Sequence, residues 1–200
     1  MIASGRQPLA PCLAGLLCAL TACVTPIASQ YEVEQPRVQD RTGLLAGIGG
    51  GGGIDILESA DAKPGYAAEA RLGYGFTPAM QLYLSAAFDS ANHDNFGILR
   101  NYQVTVQIQH YLVARRAVGA FVHAGIGLAI ADPQPQQGLL PGTSATGYGL
   151  ATSGGVGMDI RIANDLYLAP ELFYRRANVN AQGSGANLDA IGLMLSLIYY

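Results

Sequence analysis

The run Asn101–Val113, NYQVTVQIQHYLV, alternates almost without interruption. Gln103, Thr105, Gln107 and Gln109 fall on one side, and Tyr102, Val104, Val106 and Ile108 on the other. A period of two puts successive side chains on opposite faces of a β-strand, one dry and one wet. The pattern commits the segment to a sheet between two different environments. It leaves open where the water lies. A barrel with a dry core turns its polar face outward, whereas a barrel surrounded by lipid turns it inward.

Alternating segments continue to the last residue. We read strands at 43–57, 65–76, 80–89, 98–113, 118–132, 146–162, 165–178 and 188–200. None has a helical period, so the predicted fold is all-β, an eight-stranded antiparallel up-and-down transmembrane β-barrel. The connections after the second, fourth and sixth strands are short: Thr77-Pro78-Ala79, Ala114 to Ala117, and Ala163-Asn164. Those after the odd strands read as longer and more polar, with Ser90 to Phe96 and Asp132 to Ala145 as examples. An even strand count brings both termini to the short-turn rim, which faces the periplasm in barrels of this kind. Pro170 lies inside the seventh strand and predicts a bulge or a missing ladder bond there.

From the second strand to the seventh, the apolar set occupies even numbers: Leu72, Leu84, Leu128 and Leu172 are examples. Aromatic residues of that face gather near strand ends, with Tyr66, Phe88, Tyr102, Tyr148 and Tyr174 towards one rim and Tyr74 and Phe76 towards the other. Amphipathic rings prefer such interfacial belts. Charged residues make up 12% of the chain, about half of the roughly 25% usual in soluble domains. Lys63 is the sole lysine, and the even face is almost uncharged. So few charges would cover a water-facing surface poorly, yet they can pair across a narrow lumen. Water is therefore expected inside and lipid outside.

The N-terminus reads MIASGRQPLAPCLAGLLCALTAC, with Arg6 ahead of an apolar stretch and small residues before Cys23. This order predicts a secretory signal over 1–22. Leu20-Thr21-Ala22-Cys23 resembles the lipobox of bacterial lipoproteins. The resemblance implies cleavage before Cys23 and lipidation of that cysteine, with Val24 after it favouring the outer membrane. The other reading is an ordinary signal cut near Ala28 or Ser29. Residues 23–42, which carry Pro26 and Pro36, read as a lipid-anchored flexible linker, and 43–200 as the barrel domain. Cys12 and Cys18 lie within the signal, so the mature chain has no disulfide or cysteine nucleophile.

The last strand alternates Ile191, Leu193, Leu195, Leu197 and Tyr199 up to a terminal Tyr200. The terminal aromatic resembles the signal read by the barrel-assembly machinery, although here the apolar set is odd and Tyr199 faces lipid. Over about 158 residues the pattern resembles the small eight-stranded outer-membrane barrels of the OmpA and OmpX type. The resemblance implies a bacterial outer membrane location, with N- and C-termini periplasmic.

An eight-stranded barrel is just wide enough for its side chains to fill it, and buried charges must be paired. Glu69, Arg71, Asp159, Arg161, Glu171 and Arg175 have lumen parity and supply three charges of each sign. They are expected to form an ion-pair network, with Gln81, Tyr83, Gln103, Gln107 and His123 as further polar lumen residues. Gly47, Gly49, Gly51 and Gly53 leave the inner face of the first strand bare, which allows a water-filled cavity. The five glycines from Gly49 to Gly53 lack the following Gly-Lys-Ser/Thr of a phosphate loop.

The function expected is non-enzymatic, a structural or surface-interaction role behind a largely plugged lumen. Three alternatives stay open. Switching ion pairs would make a narrow or gated pore. A lipid-anchored lipocalin-like carrier would suit the lipobox, though the chain has no tryptophan and the reverse face polarity. A lipid-modifying hydrolase would need His123 to meet Ser153 on the neighbouring strand. His93 with Asp89 and Asp94 is a weak metal pattern, and no metal or other cofactor is expected. Expected partners are outer-membrane lipids and the barrel-assembly and lipoprotein-processing machineries. The protein is read as a monomer, and the absence of a basic block excludes nucleic acid.

Overall fold

The structure, a computed structural model, describes residues 41–57, 62–93, 97–115, 117–134, 146–181 and 184–200. The signal segment, Cys23 and the linker up to residue 40 lie outside the described residues. Eight strands follow one another: β1 (Gly43–Leu57), β2 (Ala62–Thr77), β3 (Met80–His93), β4 (Gly97–Ala114), β5 (Val118–Gln134), β6 (Gly147–Arg161), β7 (Leu166–Ala181) and β8 (Ser184–Tyr199). Each pairs antiparallel with the next, and β8 pairs with β1, so the sheet closes as an up-and-down barrel. Closure removes both sheet edges, which an apolar solvent would leave without hydrogen-bond partners.

The register fixes the tilt. From Ile56 the paired positions run through Asp189, Arg176, Thr152, Ile126, Val106, Leu84 and Leu72 back to β1 at Ala46, ten residues below the start. With about 3.3 Å rise per residue and about 4.8 Å between strands, that stagger inclines the strands by roughly 40° to the barrel axis. The outer face is apolar and open, with Leu128 67% and Leu193 68% exposed, while Gln103 on the inner face is 2% exposed. Tyr66, Phe88 and Tyr102 stack along one rim at 5.7 and 5.0 Å between ring centres, and Tyr74 meets Phe76 near the other at 5.5 Å.

Residues that face each other share a side of the sheet, and through β7 even numbers pair with even except at the register shifts beside Thr77 and Val113. In the last hairpin Val179 faces Ala186, so the parity flips, and in β8 the odd residues point outward. Tyr199 is accordingly 56% exposed. Opposite Pro170 the β6–β7 ladder skips from Gly157–Glu171 to Ile160–Leu168. The proline has no N–H to offer at that point.

The long-loop reading needs correction. Ser90, Ala91, Asn92 and His93 belong to β3 and pair with β4, and Ala91 and His93 are buried. The longest gap between strands is that from β5 to β6, whereas β7 and β8 nearly meet. Polar residues can extend a ladder above the apolar band, because there the sheet lies in water and needs no apolar face. The rim carrying the β2–β3, β4–β5 and β6–β7 connections and both barrel ends is called the turn rim below, and the opposite one the loop rim.

Candidate functional site in the lumen

Inward-facing side chains form layers. In the middle layer, Arg71 donates through Nε to Glu69 Oε1 (2.7 Å) and through Nη2 to Glu171 Oε2 (2.7 Å). Arg175 donates to Glu69 Oε2 and to Asp89 Oδ1, both at 2.6 Å. Ser85 adds a third donor to Glu69, at 2.7 Å. The guanidiniums lie against rings, Arg175 4.5 Å from the centre of Phe173 and Arg71 5.4 Å from that of Tyr83. These shared, charge-assisted contacts link β2, β3 and β7 across the lumen, and the acids and bases are all nearly fully buried.

His123 has one ring nitrogen on Gln107 and the other 3.0 Å from Glu171. Tyr83 donates to Gln107, which donates to Thr105. Ser153 donates to Thr105 at 3.5 Å. The nucleophile–base pair of the hydrolase reading is therefore not assembled: both nitrogens of His123 are engaged elsewhere.

The layer at the turn rim contains a residue that the sequence reading left in the linker. Arg41 is 1% exposed and pairs with Asp159 at 3.2 Å. It also donates to the Arg115 carbonyl, and its guanidinium lies 4.5 Å from the Tyr111 ring centre and 5.5 Å from that of Tyr167. Tyr111 donates to the second oxygen of Asp159 at 2.7 Å, and Tyr200 reaches the same oxygen at 3.4 Å. Leu45, Phe121 and Ile198 complete this cluster. Gly43, with φ of 107°, lets the chain turn from Arg41 into β1.

Arg161 departs from expectation. It stands at the end of β6 and is not among the buried residues; it donates to the Ala163 carbonyl at 3.0 Å. Its parity is inward, but its height is that of the turn rim, where water and a free carbonyl compete for it. Arg41 takes the place beside Asp159. Glu69, Arg71, Asp159, Glu171 and Arg175 are buried, as are Gln81, Tyr83, Gln103, Gln107 and His123, and Asp89 joins the network. The bare face of β1 is not a cavity: a Cβ at Gly49 would meet Ser196 and Met194, and one at Gly47 would meet Ile198.

At the loop rim the lumen wall changes. Ala129, Ala131, Ala151, Ala177, Val179 and Leu188 cluster with Leu57, while Asp55, Asp89, His93 and Asn101 line a small cavity. Among the described residues no three His, Cys, Asp or Glu side chains form a metal-binding group, and Asp94 lies outside them.

An antiparallel eight-stranded barrel with an apolar outer face and a paired, charged interior defines an integral β-barrel membrane protein. The chain belongs to the outer membrane protein beta-barrel domain family, whose profile matches residues 14–198. That family is one of the bacterial outer membrane. The fold is similar to Neisserial surface protein A, with TM-score 0.65, 11% identity, 78% of this chain and 96% of that one covered. The outer membrane enzyme PagL is also similar, with TM-score 0.53, 12% identity and coverages of 74% and 97%. Ail of Yersinia pestis aligns at TM-score 0.47, 13% identity and coverages of 78% and 98%. At these identities the likeness is one of fold. No curated protein matches the chain.

Proposed function

We propose that the chain is a sealed, non-catalytic outer-membrane barrel that acts through its loop rim, with both termini in the periplasm. The observation that carries this reading is the middle layer, where Glu69 and Arg71 of β2 and Asp89 of β3 are tied to Glu171 and Arg175 of β7 across the lumen. Eight strands leave no further width for a channel beside such a plug. Engagement of His123 by Gln107 and Glu171 supports the absence of catalysis. The polar strand ends above the girdle, including Asn92, Asn178 and Asn187, offer a surface for contact with another envelope component or with a surface partner.

Both barrel ends lie at one rim and the longest connection at the other, which supports short turns facing the periplasm. A lipid on Cys23 would then enter the inner leaflet of the outer membrane from the same side. Planar-bilayer recording of the purified protein is expected to show no unitary current steps. Regular steps that persist at neutral pH would replace the sealed barrel with a pore. Cysteines placed singly at Asn187 and Asn164 in a Cys23→Ser background separate the orientations. An impermeant maleimide on intact cells is expected to label the first and spare the second.

A further inference from the structure

A cavity of about 20 Å³ lies at the loop-rim end of the lumen, between the ends of β1, β3, β4 and β8. Its polar lining residues are Asp55, Asp89, His93, Asn101 and Asp189, and the others are aliphatic. A single water needs roughly 10–15 Å³ on the same measure, so the cavity admits one small particle and no organic molecule.

Two buried oxygens of this lining lack a donor. Asp89 is 2% exposed and Asn101 7%, yet Asp89 Oδ2 and Asn101 Oδ1 have no hydrogen-bond partner among the described residues. The other oxygen of Asp89 is held by Arg175, which fixes the carboxylate's orientation. Buried oxygens without donors are costly and rare in folded proteins. The wider charge balance has the same sign. In this half of the lumen Asp55, Glu69, Asp89 and Glu171 face Arg71 and Arg175, with Lys63 opposite Asp55 in the β1–β2 register.

Small size, acceptor oxygens and surplus negative charge together describe a site for a hard cation, which prefers carboxylate and amide oxygens to nitrogen or sulfur. We propose that the cavity binds one divalent cation of the calcium class through Asp55, Asp89 Oδ2 and Asn101 Oδ1. The remaining ligands would be backbone carbonyls and water at the loop-rim mouth of the cavity. The middle ion-pair layer closes the cavity from below, so the ion enters from the loop rim, and its binding braces β1, β3 and β4 together at that end.

Calorimetric titration of calcium into the EDTA-stripped, full-length protein in detergent tests this. One saturable site per chain is expected. Asp55→Asn and Asn101→Leu should each weaken binding at least tenfold, and Asn101→Asp should tighten it. Asp165→Asn, at the opposite rim, should leave it unchanged. A faster-migrating unboiled band identifies folded variants, and the conservative Asp55→Asn and Asn101→Asp pair suffices if Asn101→Leu does not fold. Absence of saturable calcium binding to the parent protein, or binding unaltered by Asp55→Asn and Asn101→Asp, overturns the proposal.

Discussion

The two ends of the lumen leave different polar groups unmet. At the turn rim both oxygens of Asp159 accept hydrogen bonds, and the surplus consists of donors, Arg41 Nε and Tyr167 OH. At the loop rim the surplus includes acceptors, Asp89 Oδ2 and Asn101 Oδ1, beside an alanine-rich wall. The first end is caged by aromatic rings and closed by a residue from outside the sheet. It has the composition of a structural plug. The second end keeps buried oxygens that a purely structural lumen would have replaced or paired, and unsatisfied groups of this kind concentrate where proteins bind something.

Substitutions test the contrast. The largest loss is expected midway between the ends, for Arg175→Ala, which removes the donor shared by Glu69 and Asp89. Breaking a buried pair costs about 3–5 kcal/mol, readable as a lower urea midpoint for the heat-shifted band in micelles. A smaller loss, about 3 kcal/mol, is expected for Arg41→Ala, since Asp159 keeps its tyrosine donors. No loss with that variant would mean that the turn-rim cage contributes nothing and that the contrast is false. Tyr111→Phe keeps the ring over Arg41 and removes the hydroxyl shared by Asp159, Gln109 and Tyr200, for about 2 kcal/mol. Gln103 has neither amide atom paired, although it is 2% exposed. Gln103→Leu is expected to raise stability by about 1 kcal/mol, and a drop instead would show that the amide has partners and that the loop-rim side is better satisfied than described.

How much of this was legible depends on distance along the chain. The Gln103–Gln109 alternation is a local property and gave the inward face of β4 correctly. Parity placed Glu69, Arg71, Glu171 and Arg175 on one side, and a narrow lumen leaves such charges little choice but to meet. Pro170 announced the gap in its ladder because its missing N–H is a property of the residue itself. Arg41 was not legible in this way. It lies outside any alternating run, and its partner is 118 residues away. The trace it leaves is at Gly75 and Gly119, where a Cβ would strike the Arg41 backbone and the Arg41–Asp159 pair respectively. Among 26 glycines that trace has no distinguishing mark. Arg161 failed for the complementary reason: parity fixes a face but not a height. The extension of β3 through Ser90 to His93 was missed because polar residues carry loop signals in water, although a closed barrel can carry its ladder past the membrane.

The Arg41 contact also bears on how the molecule comes apart. A residue ahead of β1 touches one near the end of β6, and no sheet that lacks either strand, or that has not closed, brings the two together. Contacts of this kind form late in folding and are lost early in unfolding, so their strength is felt chiefly in the rate at which the native state opens. Loss of the Arg41 guanidinium should therefore shorten the lifetime of the closed barrel while leaving the speed of its assembly almost unchanged.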